Sequence, residues 1–156
     1  MKLIAAALAL TLTAPAALAQ AFDVAIVGHG KTEQFFEPLS GDLMVTDSRS
    51  RFEEFEGLTG TPLNGMTGRC FGSATILRGV IRGHGNCVFT DPDGDKVLQS
   101  WSVDEVAQGG SAGTWYFVGG TGKHEGVSGR GHFTRLTNNT AGTTETRING
   151  VARWPE

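Results

Sequence analysis

Apolar and polar residues alternate with a period of two along much of the chain. In Gly129-Arg-Gly-His-Phe-Thr and in Thr144-Glu-Thr-Arg-Ile-Asn-Gly, one parity carries charge or amide and the other aliphatic, aromatic, small or glycine residues. That period places successive side chains on opposite faces of a strand. The pattern predicts strands near 22–30, 43–52, 67–77, 80–90, 96–103, 113–119, 127–136 and 144–154, with almost no helix. The second strand is the least defined, because Arg49-Ser-Arg-Phe-Glu-Glu-Phe-Glu-Gly reads equally well as a loop or a helical turn. Eight short strands with closely spaced turn signals imply a sandwich or an antiparallel barrel.

Cys70 and Cys87 test the pattern. Placed opposite each other across a hairpin, they put the turn at Arg78-Gly79, a workable two-residue loop. The same register sets Gly72 against Gly85, Ala74 against Gly83 and Ile76 against Ile81, so the cysteine face is wholly small or apolar. Phe71, Ser73 and Thr75 fall on the other face with Asn86, His84 and Arg82. The next turn, Asp91-Pro-Asp-Gly-Asp, carries proline, aspartate and glycine in the order a tight hairpin needs, with Gly94 in the left-handed position. Centred on Asp93, it pairs Phe89 with Val97 and Gly85 with Trp101. Trp101 then covers the glycine row, as bulky rings do in curved sheets. Parity adds Trp115, Phe117, Phe133, Ile148, Ala152 and Trp154 to the apolar face. It adds Tyr116, Arg130, His132, Thr134, Glu145, Arg147 and Asn149 to the polar one.

The chain ends change the setting. Met1–Ala19 has one lysine, an apolar run and Ala-Leu-Ala before Gln20, the form of a secretory signal peptide. We therefore expect residues 1–19 to be removed and residues 20–156 to form one exported domain, periplasmic or secreted, with no membrane span. In that setting a Cys70–Cys87 disulfide persists. Loss of Lys2 leaves 12 basic residues against 16 acidic ones. With no basic stripe, nucleic acid is not an expected partner. Glycine is the compositional signal, at 23 residues of 156, about twice its usual share of ~7%.

Several motifs fail on context. Gly119-Gly-Thr-Gly-Lys-His resembles a phosphate-binding loop, but Phe117 stands where its first glycine belongs, His124 where Ser or Thr belongs, and a strand follows instead of a helix. Gly109-Gly-Ser-Ala-Gly113 matches a nucleophile elbow, yet a strand follows Ser111 as well. Asp91, Asp93 and Asp95 are spaced like a calcium loop with its glycine misplaced, and the turn already accounts for them. His84 and Cys87 lie three apart on a strand and so on opposite faces. Asn138-Asn-Thr fits a glycosylation acceptor but carries little weight in a bacterial setting. No metal or cofactor is expected. Lys123, His124 and Glu125 read as a solvated loop tip.

Cys70, the run Cys87-Val-Phe-Thr-Asp-Pro-Asp-Gly-Asp, Trp101 and Trp115-Tyr-Phe-Val-Gly-Gly-Thr-Gly-Lys give the region 66–136 a resemblance to bacterial relatives of the allene oxide cyclase and dirigent barrel superfamily. The resemblance implies an all-β, eight-stranded antiparallel β-barrel of the allene oxide cyclase-like, calycin-like kind. It further implies a small hydrophobic or phenolic molecule bound inside, as plant members of the superfamily bind and guide, and an activity of isomerase or cyclase type as in some bacterial members. None of the superfamily's catalytic residues aligns onto this chain.

Trp101, Trp115, Phe117 and Tyr116 are therefore the expected ligand-binding residues. Arg82, His84, Arg130, His132 and Glu145 are the catalytic candidates if part of the polar face rims the barrel mouth, where arginine or histidine would hold an oxyanion or move a proton. The ordinary reading of that face is solvated surface. A non-catalytic carrier and a solidly packed structural or interaction barrel are the alternatives. Cavity volume separates the last from the others, and a titratable group buried in the cavity would favour an enzyme over a carrier.

Overall fold

A computed structural model describes residues 20–107 and 110–155. The expected signal peptide, residues 1–19, lies outside them. Eight strands follow one another: β1 (Gln20–Pro38), β2 (Leu43–Glu56), β3 (Thr67–Leu77), β4 (Val80–Thr90), β5 (Lys96–Ala107), β6 (Gly110–Gly120), β7 (Ser128–Asn138) and β8 (Thr143–Trp154). The one helical segment among the described residues is a single 3-10 turn at Gly122–His124. Each strand pairs antiparallel with the next, and β1 pairs with β8, so the sheet closes into a barrel. Closure leaves no edge strand, although the end of β1 beyond Thr32 is paired on one side alone.

The cysteine-based register is the observed one. Cys70 faces Cys87, Gly72 faces Gly85 and Ile76 faces Ile81, while Phe89 faces Val97 and Gly85 faces Trp101. The disulfide is formed, with the two Cα atoms 4.0 Å apart. Arg78 and Gly79 both have positive φ, 51° and 79°, the geometry of the primed turn that suits two-residue hairpins.

Several strands outrun their expected limits, β5 reaching Ala107 and β6 starting at Gly110, and two of them show why. β1 continues from residue 30 to Pro38, because Thr32 and Gln34 point inward there while Lys31 and Glu33 point out. A polar interior hides the apolar alternation on which the expectation rested. β2 continues through Arg49–Glu56 as strand. Phe52 and Phe55 are three apart, which should separate them, yet both turn inward and their rings stack at 5.6 Å. The pairing with β1 explains it: Phe52 faces Gly30 and Glu54 faces His29, so Glu53 is skipped. Such a bulge flips the parity of everything beyond it.

The barrel has two unlike ends. At one, the 57–66 segment folds inward and plants Leu58, Leu63 and Met66 against Val24, Ile26 and Phe89. This is the floor. At the other, the short turns after β1, β3 and β7 surround a mouth, with Leu39, Leu77, Val80, Val106 and Leu136 exposed near it.

Candidate functional site

The interior is not filled solid. A cavity of about 90 Å³ lies between floor and mouth. Its apolar wall is formed by Phe52, Phe89, Trp101, Val103, Trp115, Phe133 and Ile148 with the Cys70–Cys87 disulfide. Gln34, Thr46, Ser48, Gln99, Arg135 and Thr146 make the rest polar. The cavity reaches half-buried Gln34, Ile81 and Ser111 towards the mouth.

Glycines hold the rings in place. A Cβ on Gly72 would lie 2.5 Å from Trp101 Cζ2, and one on Gly85 would meet the same ring. Trp115 stands over Gly150 in the same way, at 2.8 Å. Its indole Nε1 donates to the Asn149 carbonyl at 3.2 Å, which fixes the ring's rotation. Trp101 meets Phe133 edge to face at 6.4 Å.

Arg135 was not among the expected site residues, yet it is the ionisable side chain of the cavity wall. It follows Phe133 by two on β7, so it shares the inward parity. Its Nη2 donates to Thr32 Oγ1 and Ser50 Oγ, both at 2.7 Å, and its Nε donates to Thr144 Oγ1 at 3.0 Å. Among the described residues no carboxylate pairs with it. Burial pushes its pKa down to about 10, which leaves it charged at neutral pH. Directly opposite on β8, Thr146 is buried and its hydroxyl has no partner.

Of the expected ligand-binding residues, Trp101 and Trp115 line this cavity. Phe117 faces inward but lower, touching Trp115 and Trp154 and lining a hollow of about 20 Å³ at the floor. Tyr116 is on the outer surface, 54% exposed. The catalytic candidates are not gathered by the fold. Arg82, His84, Arg130 and His132 are exposed on the outside. Arg82 Nη1 donates to the carbonyls of Ile81 and Asp104, and outward-facing Glu145 pairs with Arg147 at 2.8 Å. Ser111 lies on β6 near the mouth with no helix behind it.

The loop tip at Lys123–Glu125 corrects the sequence reading. His124 is fully buried. Its Nε2 lies 2.9 Å from Asp91 Oδ2, and Trp154 Nε1 donates to its Nδ1 at 3.0 Å. An indole N–H can only donate, so Nδ1 accepts and Nε2 carries the hydrogen towards Asp91. Asp91 Oδ1 also takes the N–H groups of Asp93 and Asp95. The Lys123 ammonium, 2.8 Å from Oδ2, does most to hold the Asp91 carboxyl well below the usual carboxylate range, helped by His124 and the two N–H groups. With both imidazole nitrogens engaged, this pair has no atom free to exchange a proton with a bound molecule. It locks the floor.

No protein-family profile and no curated protein matches the chain. Among solved structures it is similar to the pterocarpan synthase dirigent protein GePTS1, with a TM-score of 0.53 over 94% of this chain and 98% of that one, at 12% sequence identity. The chain has the dirigent-like barrel fold. At that identity the likeness speaks for architecture and not for chemistry.

Proposed function

We propose that the protein is exported and that its barrel binds one small hydrophobic or phenolic molecule, holding it in a fixed orientation. The observation that carries this reading is the cavity walled by Trp101, Trp115 and Phe133 inside a barrel of this size, where complete filling by side chains is the alternative. Export is supported by the Met1–Ala19 pattern and by the disulfide, which persists in oxidising compartments.

Binding with orientation suits the site better than acid–base catalysis. Arg135 is the ionisable group on the cavity wall, and with its pKa near 10 it donates hydrogen bonds without exchanging protons at neutral pH. A carrier needs nothing more. A cyclase could use the same site only by fixing the conformation of its substrate. The similar structure named above is a pterocarpan synthase, which is in keeping with a ring compound as occupant.

Tryptophan fluorescence tests the reading. Phenolic and short apolar compounds should shift the emission of Trp101 and Trp115, and Trp101→Ala should weaken their binding. An emission unmoved by a broad panel of such compounds would leave a structural or interaction role.

A further inference from the structure

We propose that the barrel's ligand carries a carboxylate, whose head is received by Arg135 and Thr146 while its apolar body lies against Trp101 and Phe133. The inference rests on the ligand-binding reading above and names the class of ligand.

The argument starts from how Arg135 is held. Thr32 donates its own hydrogen to the Arg49 carbonyl at 3.2 Å, and Thr144 donates to the Leu136 carbonyl at 3.1 Å. Both hydroxyls therefore turn lone pairs towards the guanidinium. Thr32 and Ser50 are also within 3.0 Å of each other. Nη2 and Nε are spent on these three oxygens. Nη1 has no protein partner among the described residues, and Arg135 borders the cavity. The fork is pinned on one side and open on the other.

A purely structural role accounts for this poorly. Three neutral hydroxyls from β1, β2 and β8 could bridge to one another or to a neutral amide. Arg135 is half-buried, and even partial withdrawal of a positive charge from water is costly when no negative charge compensates it. Guanidinium is also the group whose planar donors match a carboxylate.

A second polar group points to the same place. Thr146 is 8% exposed, its Oγ1 is unpartnered, and it borders the cavity directly opposite Arg135. Buried hydroxyls without partners are rare in folded proteins. One carboxylate would satisfy both residues, one oxygen on Nη1 and the other on the Thr146 hydroxyl. Gln99, also buried against the cavity, makes no side-chain hydrogen bond among the described residues.

Size limits the body of the ligand. The cavity, about 90 Å³, is smaller than the ~150 Å³ cavity that takes benzene. An occupant of one ring must extend into the mouth. The class is thus a small aromatic or branched aliphatic acid bound as its anion.

The test compares benzoate with benzyl alcohol, which has the same ring and no charge. Binding is read by tryptophan fluorescence and calorimetry in chloride-free buffer at pH 7. Wild-type protein should bind benzoate about tenfold more tightly than benzyl alcohol or better, the worth of one charge-assisted contact. Arg135→Gln should abolish that preference, bringing the two affinities together. Thr146→Val, which keeps the shape, should reduce the preference without lowering the melting temperature, and it decides the matter if Arg135→Gln does not fold. Equal binding of both compounds by wild type, or a preference for benzoate untouched by either substitution, overturns the carboxylate assignment while the cavity reading stands. Failure of both compounds to bind wild type overturns the carboxylate assignment, and the cavity reading falls with it only if the broad panel of phenolic and apolar compounds also leaves the tryptophan emission unmoved.

Discussion

His124 Nε2 lies 2.9 Å from Asp91 Oδ2, and the two residues sit on separate loops, 33 positions apart in sequence. Both side chains are shut off from solvent. The pair joins the β4–β5 turn to the β6–β7 turn, and Trp154 at the end of β8 completes it from the other ring nitrogen. The floor of the barrel is therefore held by a polar contact between loops as well as by Leu58, Leu63 and Met66.

Trp154→Phe isolates one bond of that network. It keeps most of the ring that packs on Phe22 and Phe117, but it leaves the buried His124 Nδ1 without a donor. An unsatisfied buried acceptor costs about 1–3 kcal/mol. Chemical denaturation should show a loss of that size, and the benzoate and benzyl alcohol responses should stay as in wild type, since the floor network is apart from the Arg135 end. A loss well below that range would mean that His124 finds another donor.

Asp91 makes the same network sensitive to acid. Its carboxyl is held below its usual range, chiefly by the Lys123 ammonium. The depressed pKa means that the unfolded chain binds a proton more readily than the folded one. The stabilisation is therefore complete above the unfolded value near 3.9 and is lost as the pH falls below it towards the folded value. Melting temperatures from pH 6 to pH 2 should fall more steeply for wild type than for Asp91→Asn. Parallel curves would remove Asp91 as the source of the acid sensitivity.

The disulfide spans 17 positions between neighbouring strands. On the chain-entropy account a loop of that size stabilises by roughly 3 kcal/mol. Intact mass of protein taken from the exported fraction should show a chain beginning at Gln20 that gains two hydrogens on reduction. Reduction should also lower the melting temperature. Because the bridge is part of the cavity wall, it should shift the tryptophan response to ligand as well. Two free thiols in the purified protein would contradict the structure, and a retained Met1 would contradict the export reading.

The sequence was legible where an outside constraint fixed parity. The cysteine pair and the Asp91–Asp95 turn located β3 and β4 to the residue and fixed the start and register of β5, and alternation carried the inner face on to Trp115, Phe133 and Ile148. It failed where the interior is polar. Thr32, Ser48, Ser50, Thr144 and Thr146 point inward, but hydroxyl residues look the same on either face. The parity that places Phe133 inside also places Arg135 inside, and that signal was available; the expectation that arginine faces water hid it. Conversely, Arg82, His84, Arg130 and His132 drew attention as reactive types although their parity set them outside. Burial of His124 had no local signal, since it depends on Asp91 and Trp154 arriving from distant parts of the chain.

Two glycines with different duties should respond differently to a side chain. Gly94 has φ +96°, with nothing within 4 Å of an added Cβ. Gly94→Val should cost about 1–3 kcal/mol from backbone strain and leave tryptophan emission unchanged. A Cβ on Gly85 would fall on the Phe71 carbonyl and on the Trp101 ring. Gly85→Ala should cost about 3 kcal/mol by overpacking and should move the emission, because Trp101 has to yield. Equal spectra for the two variants would mean that Trp101 is not seated on Gly85.

Arg135 should reveal its role through stability as well as through binding. Its folded pKa, about 10, lies below the usual value of 12.5. Between those values the unfolded chain holds the extra proton, so stability rises with pH across that window and the full penalty is present below pH 10. By 1.36 kcal/mol per pKa unit the penalty is on the order of 3 kcal/mol. Against it stand the hydrogen bonds to Thr32, Ser50 and Thr144, of which Thr32 and Ser50 can fall back on each other. Arg135→Met keeps a long side chain in place and removes the charge. In protein without ligand it should raise stability by about 1 kcal/mol, as replacements of buried charge by apolar groups often do, while it removes the preference for benzoate. A gain in stability joined to a loss of binding is the mark of a residue kept for function. If Arg135→Met instead unfolds at markedly lower denaturant than wild type, the guanidinium is a strut between β1, β2, β7 and β8, and its charge is compensated within the empty barrel.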